Sequence, residues 1–413
     1  MSPFTDVLII YILVAIYCFF GLKSLISKPK FRFGFMIVYI LLSVFTLFCF
    51  FNFTTIARIY GLYSGPKVGY YLGKFLLIFL TKLFLSIFLF LQDFPRMIIG
   101  LINFGKTFFD TSTSNKFIPS RRKSLTWMAT GLTSMFFSGM FYGITKGKYK
   151  YTINKLSLSF KNLPVEFDGF RIVQISDIHS GSLDNLDEVA RGVNMINDLN
   201  PDTVLFTGDL INQHKEEVDP FIDIFNQIKS KDGNFAVLGN HDYFGLHDLK
   251  EEEYPVYMND FYKRFNDMNF DLINNSNREI KRGDASIKIL GVENWGAGDW
   301  EPKAGDLDKA LKNIKHDDFC VLMSHDPSHW EEKVLPHDRH IDLTLSGHTH
   351  GYQFGINMPG FKWSPAQYSF KRWMGLYEEK KQKLYINRGF GFLAFPGRVG
   401  MWPEITLIEL KSV

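Results

Sequence analysis

Four long apolar runs dominate the first third of the chain, and short apolar runs alternating with amphipathic stretches fill the rest. The long runs cover residues 5–22, 34–53, 70–91 and 125–145. About 20 apolar residues can cross a bilayer as a helix, because only a helix satisfies its own backbone hydrogen bonds in lipid. The pattern therefore predicts a four-helix transmembrane region. The third run is the weakest: Lys82 falls near its middle, where a charge costs about 2.5 to 3.5 kcal/mol unless it faces the bundle or snorkels.

From residue 169 the pattern changes period. Strands are predicted at 171–176, 203–207, 234–238, 287–292, 319–324, 343–346, 383–387 and 405–410, and helices at 186–199, 219–230, 260–269, 307–314 and 328–334. This is an α/β chain. Near-continuous apolar strands such as Val204-Leu205-Phe206 suggest a sheet covered on both faces. The division expected is a membrane region over residues 1–145 and one large domain over 146–413, with no internal repeat or low-complexity stretch.

Charge sharpens the division. The first 145 residues hold 14 Lys and Arg against 3 Asp and Glu, and the remainder holds 32 against 40, giving +11 and −8. The low charge density of the first part excludes a disordered basic tail or nucleic-acid arm, so no nucleic-acid partner is expected. Basic residues gather between runs one and two (Lys23, Lys28, Lys30, Arg32) and before run four (Arg96, Lys106, Lys116, Arg121, Arg122, Lys123), whereas only Arg58 and Lys67 lie between runs two and three. By the positive-inside rule the N-terminus is outside and everything after Thr145 is again outside. The expectation is a multi-pass protein of the cytoplasmic membrane whose large domain is extracytoplasmic, or periplasmic in a bacterium with two membranes. Ser120-Arg121-Arg122-Lys123-Ser124-Leu125 also resembles a twin-arginine export signal, which would deliver the domain to the same side. Cys18 and Cys49 lie in membrane runs and Cys320 stands alone, so the large domain is expected to have no internal disulfide.

Chemistry collects where the strands end. Asp177 and His179 follow the first strand, Gly208-Asp209 the second, Gly239-Asn240-His241-Asp242 the third, His325 the fifth and Gly347-His348-Thr349-His350 the sixth. Ligands of open α/β sheets bind in the crevice beyond the carboxyl ends of the strands. Carboxylates, an amide oxygen and several imidazoles form a mixed oxygen and nitrogen set suited to Mn, Fe or Zn, with Mg less favoured. Candidate ligands outnumber the needs of one ion, so two divalent metals bridged by one carboxylate are expected, a pair that activates a bridging hydroxide for in-line displacement at phosphorus. His214, His247, His316, His329, His337 and His340 lack this context and are expected at the surface or in loops.

These five blocks, in this order, resemble the calcineurin-like metallophosphoesterase superfamily over roughly residues 169–413. The resemblance implies a two-sheet sandwich flanked by helices. It implies that Asp177, His179, Asp209 and His350 hold one metal, that Asp209, Asn240, His325 and His348 hold the other, and that Asp209 bridges. His241 matches the histidine that contacts the phosphate and protonates the leaving oxygen, with Asp242 orienting its imidazole. The C-terminal block, Asn387-Arg388-Gly389-Phe390-Gly391 with Pro396-Gly397-Arg398 and Pro403-Glu404-Ile405, looks like that of bacterial membrane-linked, exported members. Two positions depart from that branch: Tyr352, where a second Gly is usual, and Glu293-Asn294-Trp295, where an acidic pair is usual. Arg388 and Arg398 are candidates for phosphate recognition. Trp295, Trp300, Tyr352, Phe390, Phe392 and Phe395 are candidates for an apolar cleft or for core packing.

The expected activity is hydrolysis of a phosphate mono- or diester, compatible with a lipid-linked substrate at the bilayer surface. Two alternatives stand beside it: a catalytically silent, metal-dependent membrane receptor or assembly factor, and, with inverted topology, a cytoplasm-facing pyrophosphatase of a lipid A precursor.

Overall fold

The computed structural model describes residues 3–61, 65–107, 119–298 and 302–413. The chain forms two compact units, residues 1–60 with 70–142 and residues 61–69 with 143–413.

Among the described residues, the first unit is built on four helices: α1 (Pro3–Lys23), α2 (Pro29–Tyr60), α3 (Gly65–Thr107) and α4 (Pro119–Thr145). Helices α1, α2 and α3 are long and apolar enough to cross a membrane. Thus the third run qualifies despite Lys82. The side chain of Lys82 is buried in the unit, where Nζ donates to Ser43 Oγ at 2.9 Å and Tyr11 Oη at 3.1 Å. The rings of Tyr39 and Tyr11 face it at 4.7 and 5.0 Å, so the charge is solvated by hydroxyls and aromatic faces rather than exposed to lipid.

Helix α4 is less apolar than its three companions, because Ser and Thr recur along it. Those hydroxyls are satisfied locally. Thr130, Thr133, Ser134 and Ser138 each donate to the carbonyl four residues back, at 2.8 to 2.9 Å. A helix that answers its own hydroxyls in this way carries fewer unpaired polar groups than its composition suggests.

The second unit contains strands β1 (Thr152–Phe160), β2 (Arg171–Ile175), β3 (Thr203–Phe206), β4 (Asn234–Ala236), β5 (Asp271–Leu272), β6 (Ser276–Arg282), β7 (Ala285–Gly291), β8 (Phe319–Met323), β9 (Leu343–Ser346), β10 (Ile356–Met358), β11 (Phe361–Trp363), β12 (Gly375–Glu379), β13 (Gln382–Ile386) and β14 (Glu404–Ser412). Its helices are α5 (Leu186–Asp198), α6 (Ile222–Phe225), α7 (Tyr254–Asp267) and α8 (Leu307–Ala310). One six-stranded sheet has the order β1-β14-β2-β3-β4-β5, the other β12-β13-β9-β8-β7-β6, and β10 and β11 form a separate hairpin. The strands β2 to β5 run parallel, as do β7, β8, β9 and β13.

Period-two alternation sorts the side chains into layers. Ile172, Leu205, Phe235, Val321, Met323, Leu345 and Ile408 fill the core between the two sheets. Their neighbours Val173, Val204 and Phe206 face the other way, against Val189, Val193 and Ile196 of α5 and Phe261 and Phe265 of α7. On the second sheet Cys320, Leu322 and Leu384 turn outward to Leu307, Ala310 and Trp330. The result is the two-sheet sandwich flanked by helices, with the parallel strands ending together.

Several elements differ from the sequence reading. The helix expected at 219–230 is a 3-10 segment followed by the single turn of α6, because Pro220 lacks an N–H and restrains the residue before it. Strands β1 and β6 lie at or near sheet edges and carry many polar residues, so no apolar run marks them. The stretch 328–334 forms one π-helical turn at Trp330–Val334.

Candidate metal centre

Every strand end named by the sequence contributes to one buried cluster. Asp177, His179 and His350 bring ligand atoms within 4.8 Å of one another, and so do Asp177, Asp209 and His325. Asp177 belongs to both groups. His350 Nε2 lies 3.2 Å from Asp177 Oδ1, and His325 Nε2 and His179 Nε2 lie 3.1 and 3.5 Å from the same oxygen, Asp209 Oδ2. His348 and Asn240 meet each other, Nδ1 to Oδ1, at 3.1 Å.

The backbone is bent to make this possible. Asp177, His179, Asp209, His348 and His350 all take φ between 48° and 70°, in the left-handed region. Such a conformation turns a strand abruptly, so successive ligands leave the sheet into the same crevice, at a conformational cost that the surrounding hydrogen bonds must offset. His348 N–H donates to both oxygens of Asp177 at 3.0 and 3.1 Å, and His241 N–H donates to Asp209 Oδ1 at 2.9 Å. Each carboxylate is therefore held by the loop of another block. Gly347 permits the first contact: a Cβ there would stand 1.9 Å from Ser176 Oγ and 2.2 Å from Asp177 Oδ2.

The electrostatics suit cations. Burial, assisted by neighbouring histidines, holds His179 well below its ordinary pKa; burial likewise lowers His350. Their Nε2 atoms nonetheless face each other at 3.0 Å. Burial opposes ionisation of Asp177 and Asp209, but His350 beside the first and His325 and His241 beside the second outweigh it and hold both carboxyls low. Burial also opposes a charge on His325, yet the Asp209 carboxylate raises its pKa to about 10. Two neutral imidazoles and two ionised carboxylates converging in a dry pocket form a donor set for divalent cations. The residues fit the metals that the sequence suggests.

Orientation of the rings comes from the next layer. His325 Nδ1 meets the Thr207 carbonyl at 2.8 Å, which directs Nε2 toward Asp209. His350 Nδ1 accepts from the Arg398 guanidinium at 3.1 Å. His241 Nδ1 meets the Asn212 carbonyl at 2.8 Å, leaving Nε2 as the working nitrogen.

The carboxylate of Asp242, expected to orient His241, collects the backbone N–H groups of Asp209, Leu210, Ile211 and Gly239 at 2.8 to 3.3 Å. Burial and then the Asp209 charge push its pKa up to about 7. Asp242 thus knits the second and third strand ends together, while Asn212 orients His241. The Asn212 loop is itself gathered by Glu217, which accepts from the N–H groups of Asn212, Gln213 and His214 at 2.6, 3.4 and 3.2 Å.

Other candidates fall elsewhere. Arg388 and Arg398 are buried behind the ligands instead of facing a substrate. Arg398 donates to the carbonyls of Gly391, Met401 and Arg388 as well as to His350, and Arg388 is bound to Glu404 at 2.5 Å. Phe390 and Phe392 pack in the core under α5. The ring of Trp295 lies 5.6 Å from that of His329, and Trp300 lies outside the described residues. Tyr352 is exposed beside the His350 loop. His329, expected at the surface or in a loop, is buried and bonded to Ser324 Oγ at 2.9 Å, and burial lowers its pKa to about 4. Asp326, which the sequence reading missed, is buried with Oδ2 3.8 Å from His348 Nε2; its place next to His325 at the end of β8 was the available signal.

Comparison with known proteins agrees with both units. Residues 2–148 match the family model described as a probable calcineurin-like phosphoesterase, transmembrane domain, and residues 170–352 match that of the calcineurin-like phosphoesterases. An uncharacterized metallophosphoesterase of Bacillus subtilis, YkuE, is 29% identical over 71% of this chain and 98% of its own length. One from Helicobacter pylori is 30% identical over 71% of this chain and 73% of its own. A zebrafish (Danio rerio) transmembrane protein with a metallophosphoesterase domain is 28% identical over 66% of this chain, and the match spans 60% of that protein. With its multi-pass helical region and its buried His and Asp metal-binding site, the chain belongs to the calcineurin-like metallophosphoesterases.

Proposed function

We propose that this protein hydrolyses a phosphate mono- or diester at the outer face of the cytoplasmic membrane, using two divalent metals. The observation that carries the reading is the pair of ligand groups sharing Asp177, in which neutral imidazoles and ionised carboxylates converge away from water. Divalent cations bound there would supply charge neutralisation at phosphorus and a water of lowered pKa. Asp177, His179, Asp209 and His350 would hold one, and Asp209, Asn240, His325 and His348 the other. Doubly protonated, with Nδ1–H on the Asn212 carbonyl, the His241 ring would give its Nε2 proton to the departing oxygen and be left neutral, the form that burial favours. Asp242 and Glu217 keep the loops that present Asp209 and Asn212 in register.

The orientation rests on the basic connections around the first span and before α4, which favour the cytoplasm and leave the second unit outside. The self-satisfied hydroxyls of α4 support its service as a fourth span.

The test is turnover of p-nitrophenyl phosphate and bis(p-nitrophenyl) phosphate by the full chain in nanodiscs loaded with Mn, Zn, Fe or Mg. Asp209→Asn is expected to remove most turnover while the melting profile is kept. Equal turnover by the variant and wild type, or by metal-stripped wild type, would refute the proposal.

A further inference from the structure

The hairpin β10–β11 leaves an apolar face exposed. Directly opposed residues of an antiparallel pair share a face, so the pairs Ile356–Trp363 and Met358–Phe361 place four apolar side chains together, with Asn357 and Lys362 on the other side. The Lys362 side turns toward the body of the unit. Its Nζ donates to the Met374 carbonyl at 3.3 Å and lies over the rings of Tyr377 and Trp373. The apolar side is left outward, with Ile356 42%, Phe361 53% and Met358 57% exposed. Asn357 and Lys362 are exposed as well, so the hairpin is marked by an apolar face left uncovered, and such a face is suited to meet something apolar.

Its root identifies what. Gly355 N–H donates to the Val399 carbonyl at 2.9 Å, and the Ser364 hydroxyl donates to the Gly351 carbonyl at 2.7 Å, so the hairpin is tied to the loop that carries His350. Rings also adjoin the metal centre at this loop: Phe370 lies 5.6 Å from the ring of His348 and 5.8 Å from that of Tyr352. From Gly351 to Met358 the chain spans at most about 25 Å, within reach of a long alkyl chain. A protein with membrane-crossing helices also works where amphiphiles concentrate.

We propose that the outward face of β10–β11 holds the alkyl chain of an amphiphilic phosphate ester whose phosphate sits at the Asp177–Asp209 cluster. This rests on the phosphoesterase reading above and narrows its substrate to esters with a long apolar tail. The alkyl chain leaves the metal centre past Phe370 and Tyr352 and lies along Met358 and Phe361.

The experiment uses the full chain in nanodiscs, a series of n-alkyl phosphates and n-alkyl p-nitrophenyl phosphates from butyl to dodecyl, and the matching alkyl phosphonates as non-hydrolysed ligands. Burial of one methylene is worth about fourfold in affinity, so even partial contact should favour dodecyl over butyl by about tenfold or more in kcat/KM and in phosphonate binding. Met358→Glu with Phe361→Glu should reduce that preference about tenfold and leave p-nitrophenyl phosphate turnover within about twofold of wild type. A flat chain-length series in wild type, or an unaltered preference in the double variant, overturns the inference. Equal loss for every vesicle-borne ester, whatever its length, would also overturn it and assign the face to the bilayer surface. Absence of any phosphatase or diesterase turnover in metal-loaded wild type strikes the phosphoesterase reading instead, and phosphonate binding then still decides the alkyl-chain site.

Discussion

Replacing Gly347 by alanine tests whether the centre is held as tightly as its hydrogen bonds imply. The added methyl would stand 2.2 Å from Asp177 Oδ2 and 1.9 Å from Ser176 Oγ, where real Cβ contacts under 3.0 Å essentially never occur. The backbone has little room to yield, because Gly347 N–H is bonded to the His325 carbonyl at 2.9 Å and His348 N–H to Asp177. The carboxylate must then retreat by roughly 0.8 Å, several times the ~0.2 Å tolerance of a metal–ligand distance. Asp177 belongs to both clusters of ligand atoms, and in the proposed assignment it holds one of the two metals, so that metal loses a ligand. Losing a supporting contact of a ligand typically costs about 10 to 100-fold in metal affinity, and displacing the ligand itself should cost at least the upper end of that range. The overpacking adds about 1 to 3 kcal/mol of destabilisation. Competition of the full chain with a chromophoric chelator reads the first quantity, and a thermal melt with metal withheld reads the second. Wild-type metal affinity in Gly347→Ala would refute the claim that this glycine exists to admit the Asp177 carboxylate.

Three further outcomes follow from the same geometry. His241→Ala should slow hydrolysis of alkyl esters by about 10²- to 10⁴-fold but affect p-nitrophenyl esters far less, since only the poor leaving group needs the proton; a plot of log kcat against leaving-group pKa with an unchanged slope would remove His241 from the acid role. His325, raised to about 10 by Asp209, carries a proton at neutral pH that a metal must displace, so affinity should climb with pH through the range below about 10, and metal titrations in two buffers of different ionisation enthalpy should report proton release. A flat affinity between neutral pH and pH 9 would contradict this. A reporter fused to the C-terminus is expected to be active only outside the cytoplasm, and activity inside would reverse the orientation.

How far the sequence carries the argument depends on where each feature keeps its information. The cluster of Asp177, His179, Asp209, His325 and His350 was legible because strands such as Thr203–Phe206 and Phe319–Met323 are near-continuous apolar runs with Gly, Asp or His following within a few residues, so the change of residue type nearly coincides with the change of structure. The orientation of His241 was not legible, because its partner is the main-chain carbonyl of Asn212, and a carbonyl has no side-chain signature. Asp242 looked like the orienting group only by adjacency; its carboxylate serves four backbone N–H groups instead. Arg388 and Arg398 have the composition of phosphate contacts, and only burial reveals that their donors are already committed. Lys82 weakened the third run on paper because hydropathy counts a charge without asking whether two tyrosines and a serine surround it. The exposed apolar face of β10–β11 could not be read at all, since alternation defines two faces but not whether either is covered.

The left-handed turns at Asp177, His179, Asp209, His348 and His350 restrict evolution as well as geometry. Asp, Asn and His are several-fold enriched among non-glycine residues in that region of backbone space, and β-branched or bulky residues are rare there. The residue types that supply hard and borderline metal ligands are therefore also among those the bent backbone accepts most readily. A library randomised at these five positions should be thinned first by folding and only then by catalysis, and its folded survivors should already be rich in metal-binding side chains. In such a centre, drift away from activity can leave the ability to bind metal behind.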